Sequence, residues 1–135
     1  MDWDEAKMII KHMLDDVSVS VVATLPPEAN VEYLGTDAAA YRGSGSTMRP
    51  YFMCTFRSSE RLIEISPDIY NTDNPVELRI FGYKHTAIIV DLHDPKARAR
   101  IFMRFREVII EALKESIEIV FNDRGTSVRT KKYKR

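Results

Sequence analysis

The sequence predicts an α+β domain in which two helices flank a mainly antiparallel sheet of about five to six strands. Apolar residues recur at helical spacing at the start of the chain and again after Asp94-Pro95, and between these stretches lie short segments rich in β-branched and aromatic residues. The connections between those segments are too short to hold a crossover helix, so neighbouring strands should pair as antiparallel hairpins. A chain of 135 residues with 44% hydrophobic content has the size and composition of one ordinary domain, and it needs neither disulfides nor a structural metal to fold.

Trp3, Ala6, Ile9 or Ile10, Met13 and Leu14 define a helix over residues 2 to 15, with Asp2, Asp4 and Glu5 suited to its positive N-terminal end. From Val17 the period changes to two. Val17, Val19, Val21, Ala23 and Leu25 share one face and Ser18, Ser20 and Thr24 the other, which predicts a half-buried strand ended by Pro26-Pro27. A short extended piece at Val31 to Leu34 leads into small residues and then Arg42-Gly-Ser-Gly-Ser-Thr-Met-Arg49, the composition of a loop or hairpin tip.

Strands resume at residues 50 to 57 and 61 to 66, joined by Arg57-Ser-Ser-Glu60, and a loop runs from Pro67 to Pro75. Residues 76 to 82 and 86 to 92 form another pair about Gly82-Tyr-Lys-His85, and the unbroken Ile88-Ile89-Val90 predicts an interior strand. Asp94 caps the second helix and Pro95 takes its first position. That helix reaches at least Ser116. At 100° per residue its polar face holds only Lys96, Arg100, Arg104, Glu107, Glu111, Lys114 and Glu115. The surplus apolar circumference, with Arg98 and Arg106 set in it, predicts a second contact: the first helix, or another subunit in a homo-oligomer. Residues 117 to 121 either extend the helix or form a strand that turns at Asn122-Asp-Arg-Gly125, and the hairpin is the preferred expectation. The organisation is then one domain over residues 1 to 121 and a basic C-terminal segment, tail or hairpin strand, over 122 to 135.

Cys54 is the only cysteine, which excludes an intramolecular disulfide and a multi-thiolate zinc site and is expected to be a small buried residue on a strand. The acidic start argues against export, and no apolar run approaches the roughly 20 residues of a membrane-spanning helix, so a cytoplasmic location without membrane contact is expected. Net charge is zero but segregated: residues 1 to 95 sum to −7 and residues 96 to 135 to +7. Arg124, Arg129, Lys131, Lys132, Lys134 and Arg135 fall in the last twelve residues with no acidic side chain among them. Such asymmetry points to a polyanion or to an acidic protein surface.

Signatures of common catalytic sites are absent: there is no GxxxxGK[ST], GxGxxG, HExxH, GxSxG or paired CxxC. The stretch Arg42 to Arg49 could cradle a phosphate with its backbone N–H groups, although a plain turn explains the same composition. Asp91, His93 and Asp94 gather ligand-type side chains at a strand end, but Asp94 already serves as a helix cap and no metal site is expected. Asp68 followed by Glu77-Leu-Arg79 has the outline of a metal-dependent nuclease pattern, in which an Asp precedes Glu-x-Lys on the next strand. Arg79 replaces the lysine and cannot accept a proton at ordinary pH. If the strands at 76 to 82 and 86 to 92 pair, Glu77 comes beside residue 90 or 91, so Glu77, Asp91 and His93 form the remaining composite candidate. His12 and His85 have no visible partner and are expected to be surface or satisfied residues.

Val76, Leu78 and Ile80 alternate with Glu77, Arg79, Phe81 and Tyr83, as Phe52, Cys54 and Phe56 do with Tyr51, Met53 and Thr55. If the first face of each strand meets the helices, then Tyr51, Met53, Arg79, Phe81 and Tyr83 lie on the open side. Aromatic rings interleaved with arginine can stack unpaired bases, while a dimer interface or a covering C-terminal segment accounts for the same pattern. The leading expectation is a non-enzymatic protein without cofactor that binds DNA or RNA. Its phosphate contacts would be Arg124, Arg129, Lys131, Lys132, Lys134 and Arg135, joined by Arg98, Arg100, Arg104 and Arg106, with Tyr51, Arg79, Phe81 and Tyr83 as a stacking platform. The rivals are a homo-oligomeric assembly protein and, more distantly, a metal-dependent nuclease or hydrolase.

Overall fold

Helix α1 spans Trp3–Thr24 in the computed structural model, which describes residues 3–42, 48–71, 77–82 and 87–117. The helix therefore takes in the stretch whose alternation suggested a strand. Ala6, Ile10, Leu14, Val17 and Val21 are all fully buried, three or four residues apart, so one helical stripe runs the whole length. On a strand Val17, Val19 and Val21 would share a face, yet Val19 is 58% exposed and Ser18 is buried. Burying that stripe outweighs the few tenths of a kcal/mol per residue by which β-branched residues disfavour a helix. A 3-10 turn at Pro27–Ala29 follows, and Asn30 in the left-handed region (φ 49°) redirects the chain.

Strands β1 (Val31–Arg42), β2 (Met48–Ser58) and β3 (Arg61–Ile65) form one antiparallel sheet in that order. Strands β4 (Ile69–Asn71), β5 (Glu77–Phe81) and β6 (Ala87–Asp91) form a second, also antiparallel. The α+β class agrees with the sequence, as do the six strands among the described residues, which divide between two three-stranded ladders whose members β2 and β4 run beside each other. Three local expectations are corrected. β1 is not a short piece ending at Leu34, because Ala38, Ala39 and Ala40 are drawn into register with Phe52, Tyr51 and Pro50 of β2. The loop from Pro67 to Pro75 contains β4, held by Ile69, whose side chain is fully buried and which pairs with Ile80. Among the described residues β6 is the edge of its sheet and not an interior strand, and Ile89 is 52% exposed.

A β-bulge shapes β1. The register with β2 shifts between Tyr33 and Gly35, and Gly35 adopts φ 132°, a region that side chains other than glycine's avoid. Tyr33 Oη donates to the Asp15 carboxylate on α1 and also pairs with the Thr36 hydroxyl, which donates to Cys54 Sγ at 3.4 Å. Lys11 binds the same Asp15 carboxylate at 3.2 Å. This chain of polar groups seats α1 on the hairpin.

Helix α2 spans Pro95–Ser116 and starts as the sequence predicts: Asp94 Oδ1 accepts from the Lys96 N–H at 2.9 Å, with proline at the first turn. Ala97, Ile101, Phe105, Ile109 and Leu113 form its buried stripe and join one core with α1 and the inner faces of both sheets. Its surplus apolar surface is met in part by α1, which packs against it, and Phe102, Ile110 and Ala112 are half-buried at the edge of that core. At the C-terminus the Ile117 N–H bonds to Leu113 O at 2.8 Å with extended backbone, and Arg61 Nη1 donates to Ser116 O at 2.9 Å. The choice between helix and hairpin after residue 117, and the boundary at residue 121, lie outside the described residues.

Candidate nucleic-acid interface

The inner face of β5 buries Leu78 and Ile80 against the helices, so strict alternation turns Glu77, Arg79 and Phe81 to the other side of the sheet. Register then fixes what stands beside them. Tyr70 on β4 and Ile89 on β6 are the cross-strand partners of Arg79, and Ala87 is the partner of Phe81. Tyr70, Arg79, Ile89 and Phe81 thus share one open face, away from the core. The Tyr70 and Phe81 rings meet edge to face, with centroids 5.5 Å apart at 80°. Arg79 is exposed and makes no ion pair or side-chain hydrogen bond among the described residues. A guanidinium between an aromatic pair and an isoleucine offers flat apolar surface for a base and a cation for the adjoining phosphate.

The structure brings together Arg79 and Phe81 of the expected platform, and adds Tyr70. Tyr51 lies half-buried on β2, in the other sheet but on the strand beside β4. Tyr83 falls outside the described residues, as do Arg124, Arg129, Lys131, Lys132, Lys134 and Arg135. Arg100 and Arg104 sit on α2, which packs against the opposite face of this sheet. Arg100 is exposed there, whereas Arg104 is 14% exposed, 3.8 Å from Glu107 and packed against Gly82. Tyr70 was hidden from sequence reasoning because three residues between prolines give no periodicity. Its only signal was the Ile69-Tyr70 pair inside an otherwise polar loop. Compared with known protein families, curated proteins and solved structures, the chain matches none.

The other candidate groups are used structurally or kept apart. Asp68 O accepts from the Phe81 N–H at 3.0 Å, which sets Asp68 at the end of β5 remote from Glu77. Four residues of strand, about 13 Å, separate those two positions, so they do not form the carboxylate pair of a nuclease site. Glu77 and Asp91 are cross-strand partners, as the pairing argument required. Asp91 Oδ1, however, accepts from the His93 N–H at 2.8 Å and Asp94 caps α2, so both carboxylates act on backbone, and no cluster of metal-ligating side chains occurs among the described residues. Cys54 is fully buried, and burial pushes its thiol up against the opposing pull of the Thr36 and Ser18 hydroxyls, so it is no activated nucleophile. His12 is exposed on α1, while His85 and the tip of the Arg42 to Arg49 hairpin, residues 43 to 47, lie outside the described residues.

Proposed function

We propose that the chain is a non-enzymatic cytoplasmic protein that binds single-stranded nucleic acid, stacking bases on the open face of β4, β5 and β6. The observation that carries this reading is the juxtaposition of Tyr70, Arg79 and Phe81, with the guanidinium uncommitted among the described residues. The six cations between Arg124 and Arg135 supply the phosphate contacts that make binding tight. Unpaired bases fit this face better than a duplex does, because its aromatic rings offer stacking surface.

The test is a fluorescence titration of labelled single-stranded DNA and RNA beside duplexes of the same length. Single strands should bind more tightly, and Arg79→Ala and Tyr70→Ala should each weaken them about tenfold, since each base stack is worth about 1–3 kcal/mol. Circular dichroism confirms that the variants fold. Equal affinity for duplex and single strand, or variants that bind as the wild type does, would overturn the platform.

A further inference from the structure

Six of the seven charges on the polar face of helix α2 stand in a mirrored order, and the seventh, Lys114, lies 3.6 Å from Glu111. Counted inwards from its ends, Lys96 matches Glu115, Arg100 matches Glu111 and Arg104 matches Glu107, with the midpoint between Phe105 and Arg106. These six side chains are four, four, three, four and four residues apart, so they lie along one side of the helix. Lys96, Arg100, Glu107 and Glu115 are exposed, and Arg104 and Glu111 half-buried.

Within a single chain this order is unfavourable. Among these six, the cations occupy the half of α2 nearer the positive end of the helix dipole and the carboxylates the half nearer the negative end, each the reverse of what a lone helix prefers, while Lys114 in the last turn is placed as a lone helix prefers. The contact between Arg104 and Glu107 likewise places the cation N-terminal to the anion, the weaker orientation. Lys96 and Arg100 make no ion pair among the described residues. A second α2 running antiparallel beside the first reverses these terms for the six mirrored charges. At the height of each cation it presents a carboxylate, and the two dipoles oppose. A twofold axis through the midpoint does this with one surface, since the stripe is complementary to itself.

Apolar surface accompanies the stripe. Met103 is 62% exposed beside it, and an open groove against β6 is lined by Ile88, Ala99, Met103 and Ile110 together with the charges. The match of Ala99 with Ala112 about the same midpoint leaves small side chains where two backbones would approach.

We propose that a second copy of this chain docks on the outward face of α2, antiparallel and twofold, pairing Lys96, Arg100 and Arg104 with the partner's Glu115, the partner's Glu111 and the partner's Glu107. This goes beyond the nucleic-acid reading and does not depend on it: α2 packs on the inner face of the sheet whose outer face bears Tyr70 and Arg79, so dimerisation leaves both platforms open.

Sedimentation of the full chain tests the register. The wild type should have twice the monomer mass at tens of micromolar and dissociate as salt rises. Arg100→Glu alone, and Glu111→Arg alone, place like charges opposite each other twice and should weaken the dimer about tenfold or more. The double variant Arg100→Glu, Glu111→Arg restores opposite charges and should recover the wild-type mass, with circular dichroism reporting the fold of each. A wild-type monomer, a dimer indifferent to Arg100→Glu, or a double variant no better than the singles would overturn the proposal. Arg79→Ala should leave the dimer unchanged, which separates failure of this interface from failure of the platform.

Discussion

Tyr33 and Thr36 lie three residues apart on β1, where a regular strand would turn them to opposite faces, yet their hydroxyls bond to each other. The bulge at Leu34 and Gly35 inserts one residue, leaves Leu34 47% exposed, and returns Thr36 to the inner face next to its cross-strand partner Cys54. The polar chain from Asp15 to Cys54 therefore depends on backbone geometry at one glycine.

Gly35→Ala should lower stability by about 1–3 kcal/mol, the cost of holding a side-chain-bearing residue in an unfavourable backbone region. Crowding cannot be the cause, because a Cβ built at Gly35 meets nothing within 4 Å. The urea midpoint checks this. A midpoint equal to the wild type's would mean that the bulge relaxes without cost.

Gly82 presents the converse case. A Cβ there would stand 1.7 Å from Arg104 Nη1, but the backbone is ordinary. The guanidinium is the far end of a flexible side chain, so it moves aside and Gly82→Ala should cost less than about 1 kcal/mol. In an Arg104→Ala background the same change should be neutral or stabilising by about 0.4–1 kcal/mol, as a glycine loses unfolded-state freedom. A double-mutant cycle reads the difference as coupling between the two positions. Additive effects would show that Arg104 does not rest on Gly82.

Alkaline pH should weaken the fold through Tyr33 and Cys54. Burial first, and then the bond to the Asp15 carboxylate, raise the Tyr33 phenol above its ordinary 10.0, and burial raises the Cys54 thiol above 9.0. The folded chain thus keeps two protons that the unfolded chain releases. Stability is complete below pH 9, then declines as pH rises through the ordinary thiol range and faster above 10, by at most about 1.4 kcal/mol per pH unit for each group. Tyr33→Phe should lose about 1–2 kcal/mol at pH 8, where Asp15 and Thr36 lose a partner, and should show a shallower decline above pH 10. Urea midpoints at pH 8 and 10.5 compare the two chains. Parallel declines would remove Tyr33 from the linkage.

The sequence foretold features written in strong local chemistry. Asp94-Pro95 placed the start of α2, alternation at residues 52 to 56 and 78 to 80 identified the inner faces, and the pairing of Glu77 with Asp91 followed from the turn between their strands. It misled where two periods fit the same letters. Residues 17 to 24 alternate like a strand, but Val17 and Val21 also continue the helical stripe of Ala6, Ile10 and Leu14, and only the core decides between them. Half of the site was legible for the same reason. Arg79 and Phe81 sit in a strand with clear alternation, whereas Tyr70 reaches the face through a pairing partner distant in sequence. The mirrored charges of α2 were visible letter by letter, but their meaning needed the knowledge that this side of the helix faces outward.

The last prediction separates the two parts of the proposed nucleic-acid site by their salt dependence. Cations that neutralise phosphates release counterions, so the logarithm of affinity falls with the logarithm of salt concentration by about 0.7 per contact on a single strand. A base stacked on an aromatic ring releases no counterions. Removing residues 124 to 135 deletes six cations and should flatten the slope by up to about 4 while leaving the fold and the preference for single strands intact. Phe81→Ala should do the opposite, lowering affinity by about the same factor at every salt concentration with no change in slope. Arg79→Ala falls between, since its guanidinium both stacks and neutralises, and should remove about one contact from the slope. Titrations of one labelled oligonucleotide at four salt concentrations measure all three. If truncation leaves the slope unchanged, the C-terminal cations do not touch phosphate. If Phe81→Ala changes the slope and not the affinity at high salt, the open face binds by charge alone and the stacking platform is rejected.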